Sequence, residues 1–295
     1  MALGTMNSFQ IGDVVISSIF EHQKLFQTPW EFFVGCQHDV ARAHMAEMPD
    51  FLYDAASERM VITFQSFLVR TPRHIILVDT CMGEDKFDIA WDTSPWLDGL
   101  HAQGLGVEDI DYVLCTHLHI DHTGWNTRLD KGRWVPTFPR AKYLFERGEY
   151  AYWEQVARTG MVPPGQRDGV WQINCLPIAE AGQAELVSGA HRLDDYVSLI
   201  PTPGHSPGHY CVRIQSRGQE AIALGDLMHH MLQCREPDWS TRVCWQPEQA
   251  SLARRNILSE AAQSGALLLP THFPAPTAGR VVAEGERFHY HFTSR

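Results

Sequence analysis

None of the seven cysteines (Cys36, Cys81, Cys115, Cys175, Cys211, Cys234 and Cys244) stands in a Cys-x-x-Cys pair, and an odd number cannot all pair. Scattered thiols of this kind argue against a disulfide framework or a cysteine-built zinc site and fit a reducing cytoplasm. Basic charge is also scarce: 24 Lys and Arg face 35 Asp and Glu, a formal net charge of −11. No basic stripe is left for a nucleic acid, and an anionic membrane surface would repel such a chain. Apolar runs long enough to span a bilayer are missing. Met1 to Met6 carry neither a basic nor an apolar stretch of a secretory signal, so a soluble, cytoplasmic protein is expected. Pro/Gly/Ser-rich linkers and internal repeats are absent too, and 295 residues with 44% hydrophobic content suit one α/β domain over residues 1–295.

What the chain does have is concentrated at its middle. Thr116-His117-Leu118-His119-Ile120-Asp121-His122-Thr123-Gly124 places three imidazoles and a carboxylate within six residues, directly after the apolar run Tyr112-Val113-Leu114. On an extended backbone His117 and His119 project to the same face. Asp121 and His122 follow where Thr123-Gly124 can turn the chain toward a neighbouring point. Two adjacent metal positions are the natural reading. Imidazole nitrogens with carboxylate oxygens suit zinc best, and iron, manganese or cobalt accept the same donors.

Four more short apolar runs end in Asp or His. They are 74–79 into Asp79, 197–200 toward His205, 221–224 into Asp226 and 266–269 toward His272. The carboxyl ends of strands face the ligand crevice in α/β architectures, so five such ends at one edge would build a polynuclear site. Ser94-Pro95 predicts a helix start with Ser94 as its cap. Residues 12–20 and 141–145 predict strands, residues 146–158 and 247–263 helices, and residues 161–171 a loop. Residues 22–60 are rich in large apolar side chains without clean periodicity. They predict an irregular segment serving as a lid or a dimer contact, in which Phe26, Trp30 and Phe51, with Trp153 or Trp171, receive an apolar part of a small-molecule substrate.

His117 to His122 resemble the His-x-His-x-Asp-His signature of the metallo-β-lactamase superfamily. The later stretches Pro203-Gly204-His205-Ser206-Pro207-Gly208-His209, Leu224-Gly225-Asp226 and Pro270-Thr271-His272-Phe273-Pro274 resemble its further motifs in order, and Leu77-Val78-Asp79-Thr80 its early aspartate turn. The resemblance implies an αββα four-layer sandwich, two mixed β-sheets flanked by helices. It also implies a two-zinc site with His117, His119 and His205 on the first ion, Asp121, His122 and His272 on the second, and Asp226 bridging both. Asp79 would orient a metal-binding histidine through a hydrogen bond.

By the same resemblance the protein is a dinuclear zinc hydrolase that opens a lactone or cleaves a related ester through a metal-bridging hydroxide. Asp121 would carry a proton to the leaving alkoxide, and His229 would either donate to the oxyanion or line the pocket. Quorum-quenching lactonases of the family carry a tyrosine where His229 stands. Organophosphate triesterase, thioester hydrolase and, least favoured, a non-enzymatic zinc module are the alternatives. A homodimer is expected from the apolar segment. His209 is expected to be structural, and His230 is assigned no role.

Overall fold

The computed structural model describes residues 7–293; Met1 to Met6, Ser294 and Arg295 lie outside the described residues. One mixed sheet of eight strands has the order Ser8–Ile11, Val14–Leu25, Arg59–Arg70, Ile75–Val78, Tyr112–Leu114, Lys142–Glu146 and Ala184–Val187, with Tyr53–Asp54 paired onto Arg59–Arg70. The seven strands of the second run in chain order from His191–Arg192 through Val197–Pro201, Tyr210–Ser216, Gln219–Ala223, Leu267–Leu269 and Gly279–Glu284 to Arg287–Phe292. Both sheets contain parallel and antiparallel neighbours, and a short hairpin of Thr127–Asp130 and Arg133–Pro136 stands apart.

Side-chain alternation along the strands decides the layering. Phe67 and Val69 point into a core shared with Val212, Ile214 and Leu267 of the other sheet, so the two sheets face each other. Leu68, between them, points outward to Trp96 and Leu100 of helix Pro95–Ala102. On the far side, Ile222, Leu268 and Val281 pack against Ile257, Leu258 and Ala261 of helix Pro247–Ser264. Helix, sheet, sheet and helix therefore stack as four layers, as the resemblance implied.

Local corrections have clear causes. The first long strand runs to Leu25 rather than Phe20, because a register shift between Phe20 and His22 lets it continue paired to Val61. Residues 22–60 are more regular than their composition indicates. They contain the end of that strand, the turn Pro29–Phe32 and helix His38–Ala46, which buries only Ala41 and Met45, too few positions to print a period. Phe32, Phe33, Met45, Met48 and Leu52 are buried against Met228, Met231 and Leu232, so the chain's own core takes the side chains that suggested a partner. Ser94 makes no capping bond; Asp92 Oδ1 instead accepts the Ser94 N–H at 2.9 Å. The loop expected over 161–171 gives way to helix Val170–Asn174.

One buried acid holds the rear of this architecture. Glu21 accepts the N–H groups of Met82 and Gly83 and the Trp125 indole N–H, at 3.1, 3.2 and 2.9 Å. Burial nevertheless pushes its carboxyl up to about 8 against those bonds. The unfolded chain releases this proton near 4.5, so between the two values it binds fewer protons than the folded chain. Stability from this residue is therefore intact below the lower value and is lost as pH rises toward the upper one. On metal-free protein, denaturant titrations should show wild type losing on the order of 4 kcal/mol relative to Glu21→Gln between about pH 5 and pH 8. A difference independent of pH would refute the assignment.

Candidate metal centre

The strand Tyr112–Leu114 delivers Thr116 and His117, and His119 stands directly before the short helix Ile120–Thr123 that carries Asp121 and His122. Gly124 ends it for a steric reason. A Cβ there would lie 1.9 Å from the Met82 carbonyl carbon, so the loop after Asp79 leaves room for glycine alone. Lys86, buried, donates to the Gly124 and Thr127 carbonyls and ties the same loop to the helix. His205 comes from the turn between Val197–Pro201 and Tyr210–Ser216, Asp226 from the turn after Gln219–Ala223, and His272 from the turn after Leu267–Leu269.

Asp226 is the centre of the cluster. Its Oδ1 lies 2.8 Å from His272 Nε2 and 2.9 Å from His122 Nε2. Its Oδ2 lies 3.0 Å from His205 Nε2, 3.0 Å from His229 Nε2 and 3.6 Å from His117 Nε2. His205 Nε2 and His119 Nδ1 face each other at 3.0 Å. Asp121 Oδ2 stands 3.7 Å from His272 Nε2 and 3.8 Å from His122 Nε2, and its side chain, 20% exposed, is the most open of the set. Burial opposes ionisation of Asp226, but His122, His229, His272 and His205 outweigh it and hold the carboxyl well below its ordinary value.

The rings are aimed from behind. Asp79, in the left-handed region at φ 59°, accepts the His122 Nδ1–H at 2.8 Å with Oδ2 and the Thr116 N–H at 2.7 Å with Oδ1. His272 Nδ1 donates to the Thr63 carbonyl at 2.9 Å. Both bonds leave Nε2 lone pairs directed at the centre. His209 accepts the Asp226 N–H at 3.0 Å and donates to Thr202 Oγ1 at 2.8 Å, a neutral ring that braces Asp226; burial lowers it to about 3. His230 faces away and donates to the Leu52 carbonyl at 3.0 Å.

Whether this pocket suits metal ions is answered by its own atoms. Among the described residues the buried Nε2 of His117 has no hydrogen-bond partner, and an unpaired buried polar atom is costly. Two groupings place their ligand atoms within 4.8 Å of one another: His117, His119, His205 and Asp226, and Asp121, His122 and His272. A third joins Asp226, His229 and His272. The nitrogen and oxygen donors of these groupings fit metal cations. With Asp79→Asn, the bond that orients His122 loses its charge, and metal retention is expected to fall about 10- to 100-fold in competition with a chelator. Unchanged retention would show that His122 needs no such partner.

The surroundings differ from the expected pocket. His229 lies at the centre, its ring stacked on His272 at 5.2 Å and met edge-on by Phe32 at 5.3 Å. Phe26 joins Phe64, Trp91 and Ile120 in an apolar patch beside the helix Ile120–Thr123. Trp30 and Phe51 do not reach this patch. Trp30 stacks on His38 beneath the Arg42 guanidinium, and Phe51 packs on Phe292 of the last strand, so their rings serve the packing of residues 22–60. Trp153 touches His119 at 5.5 Å and lines a cavity of about 210 Å³ with Tyr152, Cys244 and Trp245, whereas Trp171 packs on Tyr150. Phe64 and Trp91 escaped sequence reading because nothing local separates them from core aromatics.

Glu149 was also missed. Fully buried in helix Arg147–Thr159, it accepts the Leu118 N–H at 3.0 Å, the Gly208 N–H at 2.8 Å and the Trp153 indole N–H at 2.8 Å. It thereby joins the His117/His119 loop to the His205 loop. Its only sequence trace is the i, i+4 spacing to Trp153, the two residues that helix buries.

Comparison with known proteins agrees with this layout. The metallo-beta-lactamase superfamily model matches residues 65–272. Among curated relatives, the N-acyl homoserine lactonase AttM of Agrobacterium fabrum is 31% identical over 144 residues, 43% of this chain and 44% of the relative. A Bacillus cereus N-acyl homoserine lactonase is 29% identical over 128 residues, 42% of this chain and 41% of the relative. The chain thus spans less than half the length of these relatives. Two solved structures superpose over nearly the whole chain. The hydrolase AbOPH of the beta-lactamase superfamily has a TM-score of 0.83 at 20% identity, with 100% of each chain covered. AidC, a dizinc quorum-quenching lactonase in complex with a product, has 0.82 at 19%, with 98% of each covered. At these identities the likeness is one of fold.

Proposed function

The chain belongs to the metallo-beta-lactamase superfamily, and on that premise we propose that it is a two-zinc hydrolase that opens a lactone or cleaves a related carboxylic ester. One observation carries the two-ion reading: the two oxygens of Asp226 face different sets of imidazoles, His122 and His272 on one side and His117 and His205 on the other. His117, His119 and His205 would hold one ion, Asp121, His122 and His272 the other, and Asp226 both. Zinc bound there supplies a Lewis acid for the substrate carbonyl and lowers the pKa of water toward about 7.

The chain's own groups do the rest. Asp121, the most solvent-open of the proposed ligands, would carry a proton to the leaving oxygen. His229, whose Nε2 lies 3.0 Å from Asp226 Oδ2, would either line the pocket or turn that N–H to a developing oxyanion. Phe26, Phe64 and Trp91 offer the apolar wall. The lactone reading is supported by relatives named as N-acyl homoserine lactonases. All seven cysteines are free thiols, which supports a reducing, cytoplasmic setting for a single-domain enzyme.

The test is proton release by zinc-loaded protein on acyl lactones, aryl esters, a phosphotriester, a thioester and a penicillin, with zinc counted per chain. Turnover of acyl lactones or esters above the rest, abolished by a chelator and restored by zinc, is expected. Turnover of the phosphotriester or thioester alone would overturn the substrate class. Silence across the panel with two zincs bound would overturn the hydrolase reading.

A further inference from the structure

Beside the metal-ligand cluster stands the Lys24 ammonium, which feels the charge of Asp121 but pairs with no carboxylate among the described residues. Beyond the register shift at Phe20 and His22, the strand Val14–Leu25 pairs His22 with Phe64 and Lys24 with Ile62. His22 and Lys24 are two apart, so their side chains share a face of the strand. The Lys24 ammonium lies 4.5 Å from the Trp91 ring centre, 5.2 Å from that of Phe64 and 5.5 Å from that of Phe26. His22 stacks on Trp91 at 4.5 Å with the planes 8° apart, which fixes the indole. Three aromatic faces thus hold one ammonium in place.

That platform adjoins the site. Phe64 meets the His272 ring edge-on at 5.7 Å, and Ile120, directly before Asp121, belongs to the same apolar patch as Phe26, Phe64 and Trp91. One ring therefore separates the ammonium from a metal ligand. Among the described residues, no hydrogen bond or ion pair reaches Lys24 Nζ, whereas buried Lys86 spends its donors on Gly124 and Thr127. A lysine needed only for solubility would extend into water, where its side chain keeps its rotamer freedom. This one is held over rings worth about 0.5–2 kcal/mol in cation–π attraction, with its donors still unspent.

Resting on the hydrolase reading, we propose that Lys24 is a specificity residue: its ammonium binds a carboxylate carried by the substrate on the portion lying across the Phe26, Phe64 and Trp91 wall. The substrate would be an ester or lactone with an apolar stretch ending in a carboxylate. A formal charge of −11 makes the chain as a whole repel anions, so a local cation would favour such a molecule. Charge-assisted hydrogen bonds from an ammonium to a carboxylate are roughly twice as strong as neutral ones, and an aromatic floor keeps the competing water low.

The experiment compares aryl esters of straight-chain monocarboxylic acids with aryl monoesters of dicarboxylic acids of equal length, succinate to suberate, on zinc-loaded wild type, Lys24→Met and Lys24→Arg. The expected result is a best dicarboxylate monoester with kcat/KM at least tenfold above its neutral match. Lys24→Met should lose that advantage through KM, with kcat and the neutral esters changed less than twofold, and Lys24→Arg should keep most of it. Equal use of both ester series by wild type, or equal effects of Lys24→Met on both, would overturn the proposal. Titration of metal-free protein with suberate separates this outcome from failure of the hydrolase reading. Binding that weakens at least tenfold in Lys24→Met supports the subsite even if no ester is cleaved, and identical binding by the two proteins overturns it.

Discussion

Asp226→Asn is expected to lower kcat/KM by about 10³-fold or more, equivalent to roughly 4 kcal/mol of transition-state stabilisation. The amide is nearly isosteric, so the backbone bond from Asp226 N–H to His209 should survive and the chain should fold. What disappears is the one anion that His122, His205, His229 and His272 all approach within 3.0 Å. An amide offers one acceptor oxygen where the carboxylate offers two, so one set of imidazoles then faces an N–H₂ group. Zinc per chain, measured by elemental analysis after dialysis, should fall from two to one or fewer. Two retained zincs with near-native turnover would remove Asp226 from the centre of the mechanism.

Glu149→Ala carries the largest expected loss of stability. The substitution leaves the Leu118, Gly208 and Trp153 N–H groups unpaired in a buried pocket. Each orphaned donor costs about 1–3 kcal/mol, and removing one partner from a buried charged network commonly costs about 3–5 kcal/mol in all. Urea midpoints should register that loss, with Glu149→Gln intermediate because its amide oxygen still accepts. A functional consequence follows from the location. Leu118 lies between His117 and His119, and Gly208 follows His205 by three residues, so Glu149 keeps the three proposed ligands of one ion in register. Chelator competition should show that ion lost before its neighbour. Equal loss of both ions, or neither, would reduce Glu149 to a packing residue.

Tertiary context also decides the roles of the paired histidines that follow Asp226. His229 and His230 are adjacent, yet one stacks on His272 and the other donates to the Leu52 carbonyl. A strand-like reversal of side-chain direction accounts for the difference, and local sequence does not say which of the two faces inward.

By itself the sequence determined the chemistry of the donors and where they arise. Each lies in the turn after a short apolar strand, and the period-2 pattern of such strands and the residue types at their ends are local properties, readable without a fold. Asp79, His117, His205, Asp226 and His272 meet because the strands before them, in two facing sheets, end on one side. Only the tertiary structure decided the supporting groups. Glu149, Lys24, Phe32, Phe64 and Trp91 are ordinary residues in ordinary elements, and their roles come from neighbours far along the chain. Trp30 and Phe51 show the converse: aromatic residues of the right size in the right segment, turned toward His38 and Phe292. Burial and hydrogen bonding between distant segments leave no periodic trace in a sequence, since they depend on which surfaces packing brings together.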